Sequence, residues 1–93
     1  MTINDVMINI EQGKYCSSNF MNRMAYQDET RKLKKDFQEH LALALSDEYS
    51  ISKKVADVIV SYAFDDCSHD GYYDVVIRAE DYAEVVVKCL KIS

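Results

Sequence analysis

The chain contains no proline and only two glycines, Gly13 and Gly71, in 93 residues. Proline and glycine are the residues that most often interrupt regular secondary structure, so their scarcity favours a few long helices over a sheet with many turns. Apolar residues recur regularly from Ile3 to Leu90, which is typical of a folded chain. A chain of this length allows one domain, and we assign residues 1–93 to a single helical domain.

Apolar residues at helical spacing predict a short helix and then a long one in the first half of the chain. Thr2 can cap the short helix and Gly13 can end it, although the same segment also alternates as a short strand would. The long central helix is expected to end near residue 45, before a turn over 46–50. Its buried face is expected to comprise Leu33, Phe37, Leu41, Ala44 and Leu45.

Two further helices are predicted in the second half, separated by a polar turn over 65–71. Ser52 can cap the third, whose inward face is expected to comprise Val55, Val58, Ile59, Tyr62 and Ala63. The fourth is expected to bury Val75, Val76, Ala79, Tyr82, Ala83, Val86, Val87 and Leu90. Residues spaced by sevens continue the apolar pattern across the predicted turn. The alternative to two helices is therefore one continuous helix, which would imply an oligomer.

A helical hairpin is the preferred interpretation, because a compact monomer needs the turn. The predicted fold is therefore all-α: a small bundle with a short amino-terminal helix, a long central helix and a carboxy-terminal hairpin. No apolar run approaches the roughly eighteen residues of a membrane span. The amino terminus lacks a signal peptide's basic start and apolar core, and three cysteines without CxxC spacing suit a reducing cytosol. A cytoplasmic protein is expected.

The whole surplus of negative charge lies in the last thirty-nine residues. The first 54 residues hold eight basic and eight acidic side chains, whereas the remainder holds three basic and eight acidic, which accounts for the net charge of −5. Such a field attracts cationic partners and repels nucleic acid and anionic lipid.

One local pattern in the acidic half suggests a metal site. Oxygen-bearing side chains fall at the spacing of an EF-hand calcium loop: Asp66, Ser68, Asp70 and Asp74. Ile77 stands where that loop needs a bidentate glutamate, so the calcium shell would be incomplete. We expect a solvated acidic turn and no cofactor, with a metal-responsive helix–loop–helix as an alternative.

Catalysis is not predicted. Cys67 and His69 share the turn, but no third group is placed to orient a nucleophile and base, and there is no glycine-rich phosphate loop. A second pair of zinc ligands is also missing from the sequence pattern. We therefore expect a protein that is not an enzyme.

A basic stripe on the central helix, comprising Arg31, Lys34 and Lys35, is the candidate site for a nucleotide or nucleic acid. Carboxylates interleave with these residues at salt-bridge spacing, which favours a self-paired, solvated face. Nucleic-acid binding is therefore kept only as a second alternative.

Tyrosines among carboxylates favour protein binding, because the rings supply rigid contact area and the charges steer association. We predict a partner-binding surface formed by Asp65, Asp66, Asp70, Tyr72, Tyr73 and Asp74. The partner is expected to be a protein with a basic surface, and a chain this short also favours self-association.

The segment that carries a resemblance reads Ser68-His69-Asp70-Gly71-Tyr72-Tyr73-Asp74-Val75. It resembles a His-Ser-x-Gly-Tyr-x-x-Val segment found in small acidic phage-encoded proteins, with His-Asp in place of His-Ser. The resemblance implies a viral protein of the host cytoplasm that binds and inhibits a host enzyme or defence factor. Some proteins of this class imitate nucleic acid with their carboxylates.

Overall fold

The computed structural model describes residues 1–15, 23–67 and 71–92, with side chains over 1–15, 31–67 and 71–90. These residues form four helices and no strand: α1 (Ile3–Glu11), α2 (Arg23–Tyr49), α3 (Lys53–Asp66) and α4 (Tyr72–Ile92). The all-α prediction is confirmed. The packing is that of a small bundle in which α2 contacts each of the other three helices.

Local hydrogen bonds define both ends of α1. The Thr2 hydroxyl accepts from the Asp5 N–H at 3.2 Å, and the Asp5 carboxylate accepts from the Thr2 N–H at 2.9 Å, which completes a capping box. At the other end Gly13 has a φ of 70°, and the Lys14 N–H donates to the Asn9 carbonyl oxygen at 3.0 Å. This geometry is a Schellman motif, so the predicted helix and its glycine stop are confirmed and the strand alternative is wrong.

The central helix α2 ends at Tyr49, four residues beyond the predicted end. The prediction of a turn over 46–50 is therefore wrong for all but Ser50, whose φ of 54° turns the chain. Tyr49 is half-buried and continues the apolar face of α2 by one more turn. The Ser46 hydroxyl donates to the Ile51 carbonyl oxygen at 2.7 Å and holds the corner, after which Ser52 caps α3 as predicted.

The core joins one face from each helix. Phe37, Leu41 and Leu45 of α2 are fully buried, as the spacing of the central helix predicted. The buried residues of α3 and α4 are mostly alanine and valine, and they comprise Ala56, Ile59, Val60, Ala63, Val75, Val76, Ala79 and Ala83. The faces of α2 and α4 thus largely follow the sequence prediction, except that Leu90 is exposed.

The predicted inward face of α3 is wrong in three positions. Val55, Val58 and Tyr62 are 37 %, 51 % and 61 % exposed. The residues that α3 buries are Ala56, Ile59, Val60 and Ala63. The physical reason is that α3 is apolar over a wider arc than α2 and α4 cover, so part of that arc faces solvent.

The carboxy-terminal hairpin is confirmed, and the single continuous helix is wrong. Helix α3 ends at Asp66, α4 begins at Tyr72, and the two pack against each other. The Cys67 thiol reaches the Asp74 carbonyl oxygen at 3.7 Å across the base of the turn. Residues 68–70 lie outside the described residues.

Leu41→Ala should destabilise the fold by about 2–5 kcal/mol, because the change leaves a cavity in a fully buried part of the core. Leu43→Ala is the matched control on the same helix. Leu43 is 37 % exposed, so its truncation should cost less than about 1 kcal/mol. Urea denaturation of both variants measures the difference, and equal costs would show that α2 turns a different face to the core.

Candidate protein-binding site

An apolar groove runs between α3 and α4 on the side away from the core. Its volume is about 390 Å³, and it is lined by Val55, Val58, Ile59, Tyr62, Tyr82, Val85 and Val86. Ile59 is buried at its floor, whereas Val58, Tyr62 and Val85 form walls that are more than half exposed. The walls comprise the very residues of α3 that the sequence pattern placed inside.

This arrangement has a solvation cost. Apolar side chains exposed singly are normal on a protein surface, but contiguous apolar patches mark sites where proteins bind other molecules. Val58, Tyr62 and Val85 border one groove, whereas Ile8 and Leu43 are exposed on other helices and do not line it. The α3–α4 groove is therefore the strongest candidate for a binding site in the described part of the chain.

A polar cluster closes the groove where the hairpin turns. The Tyr82 hydroxyl donates to the Asp66 carboxylate, and this hydrogen bond raises the pKa of Tyr82 above its ordinary value. Arg78 lies beside the same group, and its interaction with Cys67 is the main reason that the pKa of its guanidinium is raised. Tyr82 is thereby held against α3, which sets the width of the groove at this end.

Charged residues border the groove, and their signs differ between its two ends. Asp65 lies one helical turn from Tyr62 at the turn end, while Lys54 lies one turn from Val58 at the other end. On α4, Lys88 is likewise one turn from Val85. All three charged side chains are exposed, so they can meet a molecule that enters the groove.

The predicted partner-binding carboxylates are only partly brought together. Asp65, Asp66 and Asp74 are all exposed near the ends of α3 and α4 that meet at the hairpin turn, beyond the end of the groove that Tyr62 and Tyr82 line. Asp70 and Ser68 lie outside the described residues. The described carboxylates of the predicted acidic surface thus lie beside the turn end of the apolar groove.

The two tyrosines of the predicted surface differ in their surroundings. Tyr72 is half-buried, with its ring 4.4 Å from that of Phe37 and its hydroxyl donating to the Tyr15 carbonyl oxygen at 3.2 Å. Its role is therefore to hold α4 against the rest of the fold. Tyr73 is exposed, and it lies beside Glu11 of α1. Desolvation is the main cause that raises the pKa of its hydroxyl, and the charge and hydrogen bond of Glu11 add to it.

The helix boundaries are unlike those of an EF-hand. Asp66 is the last residue of α3, and α4 begins at Tyr72, the seventh position of the twelve-residue calcium loop. Asp74 is therefore part of a helix rather than of an open loop. Within the described ranges no group of three or more His, Cys, Asp or Glu side chains could hold a metal ion.

The basic stripe of α2 is exposed at all three positions, Arg31, Lys34 and Lys35. Carboxylates lie close to it on the neighbouring helix turn and on α3. Lys53 bridges two of them, with its Nζ 2.9 Å from Glu39 and 3.8 Å from Asp57. These negative charges weaken the attraction of this surface for a phosphate backbone.

A second acidic group was missed by sequence reasoning, because its members come from distant segments. Glu80 of α4 is half-buried near the end of α2, where Glu48 lies close to it. Burial is the main cause that raises the pKa of Glu80, and the charges of Glu48, Glu84 and Asp81 add to it. Glu48 also accepts a hydrogen bond from the Ile3 N–H at 3.1 Å, so this group joins α1, α2 and α4.

The groove could have been suspected from composition alone. Seven of the nine residues from Val55 to Ala63 are apolar, which is more than one face of a helix can bury against two neighbours. The pattern does not reveal which part of that arc stays uncovered, because this depends on where α2 and α4 pack.

Comparison with known protein families, characterised proteins and solved structures finds no match to this chain. None of the helices, over the residues that the structure describes, combines the length and the apolar character needed to cross a membrane.

Glu80→Gln should stabilise the fold at pH 7, by less than about 1 kcal/mol because the site is partly solvated. A raised pKa means that the folded state holds the proton more tightly, so ionisation above that pKa opposes folding. The gain should vanish as the pH falls below 4.5, the ordinary value, where the carboxyl group is protonated in both states. Denaturation curves across this range provide the measurement, and a gain that persists at low pH would contradict the electrostatic cause.

Proposed function

We propose that this protein is a non-enzymatic protein-binding module whose binding site is the α3–α4 groove. The observation that carries the proposal is the exposure of Val58, Tyr62 and Val85 around one apolar groove. Removing these side chains from water against a partner would contribute a favourable transfer free energy of about 25 cal/mol for each Å² of apolar surface buried. A tyrosine in such a position also supplies large contact area with few rotatable bonds.

The charge of the chain favours a cationic partner. The net charge is −5, and Asp65, Asp66 and Asp74 are exposed near the hairpin turn, just beyond the Tyr62 and Tyr82 end of the groove. Carboxylates on the rim of an interface act mainly on the rate of association, while the apolar centre controls how long the complex lasts. The acidic border would thus select and steer a basic protein, and the groove would retain it.

The partner that we propose is a host enzyme or defence factor, which the protein would inhibit by occupying a basic surface. The support for this step is the resemblance of residues 68–75 to a segment of small acidic phage-encoded proteins. A protein that acts only by binding needs no catalytic group. The groove is lined by five aliphatic side chains and two tyrosines, which suit binding by the burial of apolar surface.

The test compares three forms of the chain as bait in a bacterial lysate: the unchanged protein, Val58→Asp and Leu43→Asp. Both substitutions place a carboxylate at an exposed apolar position, but only Val58 lines the groove. Circular dichroism first establishes that both variants fold.

We expect the unchanged chain and Leu43→Asp to capture the same protein in similar amounts. Val58→Asp should capture at least about tenfold less of it, because moving a charged side chain from water into an apolar interface is unfavourable. Mass spectrometry identifies the retained protein. Equal retention by Val58→Asp would exclude the groove as the binding site, and a lysate that yields no specific protein would argue against a bacterial host factor.

A further inference from the structure

The charged side chains around the α3–α4 groove are mainly negative at one end and positive at the other. At the turn end stand the carboxylates of Asp65, Asp66 and Asp74, with Arg78 beside Asp66. At the opposite end stand the ammonium groups of two exposed lysines, Lys54 of α3 and Lys88 of α4. Asp81 lies between the two ends on α4. A ligand that matches this border must be positive at the turn end and negative at the other.

The shape of the groove suits one particular kind of ligand. Its walls are two adjacent helices, and from Val55 to Asp65 the α3 wall extends about 15 Å at the helical rise of 1.5 Å per residue. A third helix of about three turns would lie along such a wall, with apolar residues at i, i+3, i+4 and i+7 facing the groove. Every helix carries partial positive charge at its amino terminus and partial negative charge at its carboxyl terminus.

We propose that the occupant of the groove is an amphipathic α-helix of the partner protein, cationic in its amino-terminal half and lying with its amino terminus over the α3–α4 turn. The helix would run parallel to α4 and antiparallel to α3. Its positive end would meet Asp65, Asp66 and Asp74, and its negative end would meet Lys54 and Lys88. This inference rests on the proposed function, because it names the class and the direction of the ligand for the same site.

A second copy of the chain fits the groove less well. Two grooves that face each other are both concave, so their contact would enclose a void, and protein interiors leave few voids larger than a water molecule. Each copy also brings a net charge of −5, so their approach is opposed by mutual repulsion. A convex, cationic helix has neither disadvantage.

The experiment uses two fluorescein-labelled peptides of identical composition, each with leucines at i, i+3, i+4 and i+7. In the first peptide, lysines flank the leucines in the amino-terminal half and glutamates flank them in the carboxy-terminal half. In the second peptide, the lysines and glutamates exchange places while the leucines stay. Both are hydrocarbon-stapled, and circular dichroism checks that their helicity is equal, because the exchange would otherwise alter the stability of the free helix.

Fluorescence anisotropy with the full chain should show the first peptide binding about tenfold or more tightly than the second at low salt. The ratio of the two dissociation constants should approach one at about 1 M salt, where charges are screened within about 3 Å. Asp65→Asn combined with Asp74→Asn should reduce the ratio, while Val58→Asp should weaken both peptides alike.

The outcomes separate the direction of the helix from the function of the groove. If the two peptides bind equally and Val58→Asp weakens both, the proposed function stands and the orientation is overturned. Binding of neither peptide, or binding that Val58→Asp leaves unchanged, overturns both proposals. Sedimentation of the chain alone provides the last arm: a dimer that Val58→Asp dissociates would replace the partner helix by a second copy.

Discussion

The ring of Phe37 is fully buried, and it contacts aromatic rings from three other parts of the chain. Its centroid lies 4.4 Å from that of Tyr72 in α4, 5.3 Å from that of Tyr15 after α1, and 6.2 Å from that of Phe64 in α3. Aromatic pairs at these separations add stability beyond their buried area. Phe37 therefore joins α2 to α3, to α4 and to the segment that follows α1.

Polar contacts extend this cluster and give it a single arrangement. The Tyr15 hydroxyl lies 2.7 Å from His40 Nδ1 and accepts from the Asn9 amide at 3.1 Å, while the Tyr15 carbonyl oxygen accepts from the Tyr72 hydroxyl. Hydrogen bonds of this kind have narrow geometric requirements, so they select one packing of α1 and α4 on α2. Because these contacts fix the position of α4, they also determine where the groove between α3 and α4 opens.

Sequence reasoning succeeded where the deciding forces are local. The capping box at Thr2, the left-handed Gly13 and the cap at Ser52 act within one helical turn, so the helices that they bound could be predicted. It failed on the face of α3, because periodicity identifies apolar arcs and only the packing of other helices decides which arc is covered. Likewise, the contact of Tyr72 with Tyr15 could not be predicted from the sequence, because the two residues lie 57 positions apart.

Under the function proposed for the α3–α4 groove, the lifetime of this small protein would depend on the supply of its partner. A domain of about this size has a thin margin of stability, and its transiently unfolded molecules are open to proteases. A ligand that binds only the folded form adds about 2.7 kcal/mol when its free concentration is 100 times Kd. Molecules without a ligand would be degraded first, so the amount of protein in the cell would follow the amount of its target.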